Sequence, residues 1–409
     1  MNRGRVVAAV VLAAVALGSL SVTVGYAIYW RSAAYRAACA RHLTEALGLP
    51  ADIGRVVPRS MRVREFNDVT IWLPDRRDRA FTCERALVRY LDNGAPNDYE
   101  IELIGGACEM STRTWLRDDY RALFERTVRS GFAPDGPRRV HFRDMDIRFE
   151  RDGFALALDD ATGQVWFESE QTGQAAISCR RFNGQAVATP VHLTVAFSAA
   201  GAGAQIDELE LLVPPLSLAL LGLDRLLGGP VESGTFEGRV QHRETATGRA
   251  TIFSGRCENV VLGEWTAGWL GRRWRGRCAE LELQELRLED DRLARLRFRG
   301  VVTDVAPDDV LALADLPPGG GTLTLRVRQA DLSPAGVDLL IASAACTGFD
   351  LERFTGGLGL GRMSGEARAT IADLTIEHNR IASLRGELRV PAGNGPRWIE
   401  GTLLQNATS

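Results

Sequence analysis

The stretch VHLTVAFS, Val191–Ser198, decides the fold class because apolar residues occupy every second position. Val191, Leu193, Val195 and Phe197 fall on one face of an extended chain, and the intervening polar or small residues fall on the other. A period of two is typical of a β-strand with one dry face and one wet face. This stretch therefore predicts a half-buried strand.

The same alternation recurs in the second half of the chain. In TLTLRVR, Leu323, Leu325 and Val327 share one face, and in ELELQEL the first two apolar residues are Leu281 and Leu283. The connections between such runs are rich in Gly, Asp and Asn, as short turns between strands require. The chain is therefore predicted to be mainly β.

The parity of the apolar positions slips inside some runs. It changes between Leu283 and Leu286, and again between Phe142 and Met145. A β-bulge or a tight turn at each slip would return the apolar side chains to one face.

One short pattern is written twice. ELRLEDDRLARL (285–296) and DLTIEHNRIASL (373–384) share five of their twelve residues. Each copy predicts a strand, an Asp/Glu/Asn-rich turn and a second strand. Two copies indicate a long meander in which successive hairpins present a similar apolar face.

A long sheet with one apolar face must cover that face. One solution is a sandwich or a closed barrel, in which sheet packs on sheet. The other is a long curved antiparallel sheet that leaves an apolar trough, a groove with the shape of a taco, for a lipid tail. The predicted lining of that groove is Val191, Leu193, Val195, Phe197, Leu281, Leu283, Leu323, Leu325 and Val327.

The N-terminal residues 1–30 predict a transmembrane anchor. The 25 residues from Val6 to Trp30 carry no charge, and as a helix they would span about 37 Å, more than the roughly 30 Å hydrocarbon core. A cleaved signal peptide, with its shorter apolar region, is the alternative. Residues 31–48 predict a juxtamembrane helix that ends at Gly48.

Two helices interrupt the predicted strands, one near 111–130 with Ser111 as its cap, and one at 214–229. The second is apolar, too short to span a membrane, and marks a joint between two halves. The domain prediction is therefore an N-terminal β-rich half at 49–213, a C-terminal β-rich half at 230–395 and a tail at 396–409.

Composition excludes several functions. The net charge of −3 and the pI near 6.1 argue against a nucleic-acid partner. The chain has no lysine, so it has no Walker A loop and no Schiff-base residue. HExxH and GxSxG are absent as well. The acidic pair Asp308-Asp309 is interpreted as a solvated turn. We expect no enzyme, no cofactor and no small-molecule substrate.

The seven cysteines form no CxxC motif, and no histidine stands at zinc-ligand spacing, so no metal site is predicted. Buried free thiols are one interpretation. Disulfides formed outside the cytoplasm are the other. The candidate pairs are Cys257–Cys278, which share a GRC motif, and Cys83–Cys108, which flank a predicted hairpin turn.

A cluster of tryptophan and arginine stands out in EWTAGWLGRRWRGR. Trp265, Trp269 and Trp274, with Arg272 and Arg273, would suit lipid headgroups or the surface of a partner protein. A loop whose indoles cap the end of the sheet is the alternative.

The N-terminal order of anchor, helix, LGLPADIGRV, MRVREFNDVTIW and RAFTCERALVRY resembles the AsmA-like family of the TamB and YhdP type. The positions that carry this match are Gly48, Leu49, Pro50, Val63, Phe66, Val69, Ile71, Phe81 and Leu87. A second match is the C-terminal MSGEARATIADLTIEHNRIASLRGELRV, with Gly365, Leu374, Ile376, Ile381, Leu384 and Gly386. The resemblance covers roughly residues 1–105 and 230–390.

The resemblance implies a protein anchored in the inner (cytoplasmic) membrane, with most of the chain on the periplasmic side. It also implies a β-groove of the cell envelope that binds phospholipid or guides it between membranes. The alternative function is a membrane-tethered envelope scaffold or assembly adaptor with a filled β core. Both functions make membrane lipid or an envelope protein the expected partner. The chain departs from the family in being short, in carrying two inserted helices and in having seven cysteines.

Overall fold

The computed structural model describes residues 28–74, 78–91, 99–111, 136–151, 154–169, 171–200, 203–221, 233–245, 248–264, 273, 275–289, 292–312, 316–359 and 361–391. The chain is mainly β, with one long, mostly antiparallel sheet of 17 strands and a few short helices. The predicted fold class is confirmed at this level.

The strands are β1 Ala51–Pro58, β2 Val63–Trp72, β3 Arg79–Tyr90, β4 Tyr99–Ser111, β5 Arg139–Arg151, β6 Phe154–Phe167, β7 Thr172–Phe182, β8 Gln185–Ala200, β9 Gly203–Ser217, β10 Thr235–Thr245, β11 Gly248–Val261, β12 Arg277–Glu289, β13 Arg292–Val305, β14 Thr322–Ser333, β15 Gly336–Asp350, β16 Glu366–Glu377 and β17 Arg380–Arg389. The helices are α1 Ala33–Leu47, a 3₁₀ turn Leu218–Leu221, α2 Pro307–Leu311 and α3 Leu351–Gly357.

Strands that follow one another in the chain pair with one another. The pairing is antiparallel from β1 to β4, from β5 to β8 and from β10 to β17. The exception is β4 with β5, which run parallel. A parallel pair needs a crossover connection, and the segment between β4 and β5, residues 112–135, lies outside the described residues. The helix predicted near 111–130 lies outside the described residues, except that its expected cap, Ser111, is the last residue of β4.

The chain divides into two compact units, Met1–Leu209 and Glu210–Ser409. The division falls within β9, close to the predicted end of the N-terminal half. The apolar helix predicted at 214–229 is wrong in its first residues, because β9 continues through Ser217 and a 3₁₀ turn follows at Leu218–Leu221. The rest of that prediction, residues 222–229, lies outside the described residues. Pro214 and Leu216 are buried while Pro215 between them is exposed, so the period here is two.

Helix α1 confirms the helix predicted at 31–48. The Ser32 hydroxyl accepts a hydrogen bond from the Tyr35 backbone N–H at 3.1 Å and caps the N-terminus. At the other end Gly48 adopts the left-handed conformation (φ 68°), and its N–H donates to the Thr44 carbonyl at 2.7 Å. Arg36 ties the helix to the sheet by donating to the Gly54 carbonyl at 2.9 Å.

The predicted anchor at 1–30 lies almost wholly outside the described residues. Within the described part of the chain, no helix is long and apolar enough to cross a membrane. The anchor and the orientation of the chain therefore stay predictions from sequence.

The alternation in β8 is confirmed. Val191, Leu193 and Phe197 are buried, and His192 and Thr194 between them are exposed. The Phe167 and Phe197 rings meet edge to face, with centroids 5.9 Å apart. In β14 the alternation is confirmed only at Val327, which is buried between the exposed Arg326 and Arg328, whereas Leu323, Thr324 and Leu325 are all partly exposed.

The parity slips are produced by bulges, as predicted. At the first of them Asp144 has φ 56°, and Phe142 and Met145 on either side of it are both buried. Other strands have the same bulge, with an Asp or Asn in the left-handed region. In each, the residue two positions before it and the residue directly after it are both buried. These are Leu158–Asp160–Ala161, Cys257–Asn259–Val260 and Val302–Asp304–Val305. Asp and Asn tolerate this conformation better than other residues with a side chain.

The predicted hairpins are confirmed as well. β12 pairs with β13, and β16 pairs with β17. The slip between Leu283 and Leu286 coincides with a register shift between Leu283 and Glu285. In the second hairpin the turn residues His378 and Asn379 both have positive φ, which matches a two-residue type I′ turn.

The predicted disulfides are wrong in this structure, in which all seven thiols are free. The register gives the reason. In the β3–β4 pair Cys83 lies opposite Gly106, and Cys108 is two residues further along. Such diagonal neighbours are about 7–8 Å apart, beyond the usual Cα separation in a disulfide. In the β11–β12 pair Cys257 lies opposite Leu281, three residues from Cys278.

Burial also affects the chemistry of these thiols. It raises the pKa of Cys257 to about 12 and that of Cys278 to about 11. Both side chains are completely buried. They therefore act as small apolar core residues at neutral pH.

Candidate functional site

The second unit contains an apolar cavity of about 570 Å³. Its lining residues are Pro307, Val310, Leu311, Leu323, Cys346, Phe349, Leu351, Phe354, Thr355, Met363, Ala369, Ile371 and Leu388. They come from four adjacent strands, from α2 and α3, and from the segment between α3 and β16. We call the strand residues the floor of the cavity and the two helices its lid.

The floor is a row of side chains that crosses four strands. Leu323 in β14 pairs with Cys346 in β15, Cys346 pairs with Ala369 in β16, and Ala369 pairs with Leu388 in β17. Because partners in a sheet register point to the same face, these four residues form one apolar strip. Ile371 lies one step along β16 on the same face.

Exposure increases along this strip from Cys346 towards β17. Cys346 is buried, whereas Leu388 at the far end is 55% exposed. The neighbouring apolar residues of β17, Ile381 and Leu384, are 65% and 59% exposed. Exposed apolar clusters of this kind often mark sites of interaction. The cavity therefore continues into an accessible apolar surface on the β17 side.

Both lid helices begin at the ends of strands. Pro307 occupies the first turn of α2, directly after β13, where its missing N–H costs nothing. The side chain of Asp350, the last residue of β15, caps α3 by accepting from the Arg353 N–H at 3.1 Å. Each helix thus turns back over the floor from the strand that precedes it.

Polar contacts hold the lid from outside the cavity lining. Asp308 accepts hydrogen bonds from the backbone N–H groups of Gly319 and Gly320 at 2.8 and 2.7 Å. Its other carboxylate oxygen lies 3.7 Å from the Arg353 guanidinium of α3. The interpretation of Asp308 as a solvated turn residue is therefore wrong, because this side chain links α2, the loop before β14 and α3.

The lining offers little to a polar ligand. The Thr355 hydroxyl donates to the Leu351 carbonyl at 2.7 Å and accepts from the Met363 N–H at 3.0 Å. Burial raises the pKa of the Cys346 thiol, so that group is neutral at physiological pH. A ligand here would be recognised by its shape and its apolar surface. The described residues contain no cluster of metal-ligating side chains.

The predicted groove residues are only partly brought together here. Of the nine, Leu323 alone lines the cavity. Six of the others are buried and two are partly exposed: the buried ones are Val191, Leu193, Phe197, Leu281, Leu283 and Val327, and the partly exposed ones are Val195 and Leu325. Leu325 lies one step from the floor, since it pairs with Ala344, which in turn pairs with Ile371. Sequence reasoning missed Cys346, Ala369, Leu388 and the lid.

Most of the predicted Trp–Arg cluster falls outside the described residues. This applies to Trp265, Trp269, Trp274 and Arg272. Arg273 is described and is exposed to solvent. The role predicted for the cluster, contact with lipid headgroups or a partner, stays a prediction.

Comparisons with known proteins found no match. No protein-family model matches the chain, and no curated protein or solved structure matches it either. The resemblance to AsmA-like proteins therefore rests on the sequence pattern alone.

Proposed function

We propose that this chain is a membrane-anchored lipid-handling protein whose second unit binds the acyl chain of a phospholipid. The observation that carries the proposal is the apolar cavity and its continuous floor. A volume of about 570 Å³ lies within the range of about 300–1,000 Å³ that is usual for small-molecule sites. Since the lining presents no spare polar group, hydrocarbon is the ligand chemistry that fits it.

The exposed end of the floor supports a lipid rather than a small compact ligand. An acyl chain inserted beneath the lid would leave its glycerol and headgroup near Leu388, which is exposed. The polar part of the lipid could stay in water there, so its desolvation cost would be avoided.

Two sequence features connect this site with a membrane. The uncharged run from Val6 to Trp30 favours a membrane anchor. An inner-membrane location, with the bulk of the chain on the periplasmic side, is what the resemblance to AsmA-like proteins implies. The resemblance to AsmA-like proteins favours a β-groove that guides phospholipid between membranes. We include in this proposal that the sheet is curved into a groove.

Site-specific photo-crosslinking tests the proposal. A benzophenone side chain is placed at Leu388, inside the cavity, and as a matched control at Ile381, on the same strand and also exposed. The full chain is purified in mild detergent with endogenous lipid, irradiated, and analysed by mass spectrometry. We expect phospholipid adducts at position 388 and far fewer at position 381.

A filling substitution supplies the second arm of the test. Ala369→Phe places a ring inside the cavity and should reduce the lipid adducts at position 388 severalfold, while the thermal melt stays cooperative. If lipid adducts are equal at both positions and unchanged by Ala369→Phe, the lipid coats an apolar surface and the cavity is not a lipid site.

A scaffold or assembly adaptor with a filled β core is the second candidate function. The observation in its favour comes from the first unit, where Val191 and Leu193 are 1% and 8% exposed. These positions were predicted to line a groove, yet the protein itself covers them. A chain that binds no lipid in the crosslinking experiment would fit this function.

A further inference from the structure

A cluster of aromatic residues surrounds Arg64 in the first unit, beside the end of the predicted anchor. The Arg64 guanidinium carbon in β2 lies 5.5 Å from the centre of the Trp30 ring and 5.1 Å from the centre of the Tyr90 ring. Both distances are those of cation–π contacts. Tyr90 in turn packs on Tyr99, with ring centroids 5.9 Å apart. We call Trp30, Arg64, Tyr90 and Tyr99 the aromatic collar.

The charge of Arg64 has no acidic partner among the described residues. Its Nη1 donates only a long hydrogen bond of 3.3 Å to the Tyr90 hydroxyl, and its buried Nε has no partner. Arginines nearby behave differently, since Arg59 forms an ion pair with Glu65 at 2.6 Å. A guanidinium carries five N–H donors in a planar fork that suits phosphate and carboxylate. The collar thus holds a cation in place without an acidic partner among the described residues, and its Nε makes no hydrogen bond there.

The collar lies at one end of an apolar face. Phe66 and Val69, further along β2, belong to a buried cluster into which Leu43 of α1 packs. On α1, burial raises the pKa of Tyr35 to about 12, so its hydroxyl, which is hydrogen-bonded to Cys39, stays protonated. Just before the helix, Ile28 and Tyr29 are 65% and 50% exposed. A cation and exposed apolar groups are therefore found together at the C-terminal end of the predicted anchor.

We propose that Arg64, held between Trp30 and Tyr90, binds the phosphate group of a phospholipid at the membrane interface. Tryptophan and tyrosine favour the interface, and the guanidinium supplies the charge complement to the headgroup. The inference rests on the proposed function in lipid handling, and it adds a headgroup site in the first unit to the acyl cavity in the second. The proposed ligand is the phosphate of a lipid, and the test must distinguish its binding from the binding of free phosphate.

The experiment is a native mass spectrometry titration of the full chain in detergent micelles. Three probes are used, namely dioleoylphosphatidylglycerol, dioleoylglycerol with the same acyl chains but no phosphate, and inorganic phosphate. The proteins are wild type, Arg64→Gln, Arg64→Lys and the control Arg89→Gln. Arg89 is an exposed arginine on the neighbouring strand β3, opposite Val63, so its loss removes the same charge outside the collar.

We expect Arg64→Gln to weaken phosphatidylglycerol binding about tenfold, as fits the loss of one charge-assisted hydrogen bond. Dioleoylglycerol binding should not change, and Arg89→Gln should match wild type with every probe. Arg64→Lys keeps the charge and should stay within a few fold of wild type. Thermal melts of all four proteins check that they are folded.

Three results would overturn the headgroup site. One is a wild type that binds phosphatidylglycerol no more tightly than dioleoylglycerol. Another is an equal loss of binding in Arg64→Lys and Arg64→Gln, which would mean that the collar only packs. The third is inorganic phosphate that binds as tightly as the phospholipid. Failure of the proposed function looks different, because wild type would then bind neither lipid.

Discussion

Leu193→Asp distinguishes a filled core from an open lipid groove in the first unit. Leu193 lies in the middle of β8, opposite Ile177 of β7, and is 8% exposed. Its neighbours on the same face, Val191 and Phe197, are buried too. In a core covered by protein, the new carboxylate would have neither water nor a cationic partner.

The size of the effect follows from that burial. Removing most of a buried leucine side chain costs about 2–5 kcal/mol, and leaving a buried polar group without a partner costs about 1–3 kcal/mol more. We therefore expect Leu193→Asp to lower the free energy of unfolding by about 3–8 kcal/mol. Domains of ordinary stability have only about 5–15 kcal/mol in total, so the first unit should unfold in mild denaturant or fail to fold.

Urea denaturation followed by far-UV circular dichroism measures this effect. Thr194→Asp is the matched control, because Thr194 is the next residue on the same strand and is exposed. The control should stay within about 0.5 kcal/mol of wild type. A Leu193→Asp variant within about 1 kcal/mol of wild type would refute the argument. It would mean that this face is open to water, as a groove requires.

Three further predictions concern particular side chains. The hydrogen bond from Arg295 is the main cause that lowers the pKa of Asp331 in the folded protein, below the unfolded value of about 3.9. The ionised carboxylate therefore stabilises the fold above the unfolded pKa, and this stabilisation is lost as pH falls through the folded pKa. Urea melts should show Asp331→Asn less stable than wild type at pH 7, with a difference that shrinks towards pH 3; a difference independent of pH would contradict this. At Asp144, with φ 56°, Asp144→Val should cost about 1–2 kcal/mol in chemical denaturation and Asp144→Gly much less, so equal losses would argue against the left-handed bulge. Maleimide should leave Cys257 and Cys278 unlabelled until the chain is unfolded, and a Cys257–Cys278 peptide recovered without reductant would disprove the free thiols.

The local rules of β-structure made much of the fold predictable. Alternation identified β8 and β14, and the doubled motif identified two hairpins, because a half-buried strand needs one apolar face whatever lies against it. The parity slip at Phe142 and Met145 predicted a bulge. Its cause, an Asp in the left-handed region, was also visible in the sequence as the Asp144 that precedes Met145.

The cavity could not be predicted in the same way. Its floor depends on which residues lie opposite one another across four strands, and each of the three strand pairs involved contains two register shifts. A shift of one residue reverses the face on which every later side chain lies. The wrong disulfides have the same cause, since Cys83 and Cys108 flank one turn but differ by two positions in register.

The lid was missed because its helices are too short for a periodic signal. α2 has five residues and α3 has seven, so neither completes two turns. The available signals were the terminal ones: Pro307 followed by acidic residues at the start of α2, and Asp350 before α3. These are recognised helix starts. They were overlooked because acidic residues beside a strand end are equally typical of turns.

The frame and the lining of the cavity use different kinds of interaction, which explains how an apolar site can stay open. The floor is held by the backbone hydrogen bonds of four strands, and the lid is held by Asp308, which is not among the lining residues. Apolar packing adds to these contacts, since the Phe349 ring of β15 and the Phe354 ring of α3 lie with their centroids 5.2 Å apart. A core that closed only by apolar packing would collapse until the space was filled. Here the hydrogen bonds that Asp308 accepts from Gly319 and Gly320 fix where α2 lies, and its ion pair with Arg353 links α2 to α3. The space beneath the lid can then be left for hydrocarbon that the protein does not supply.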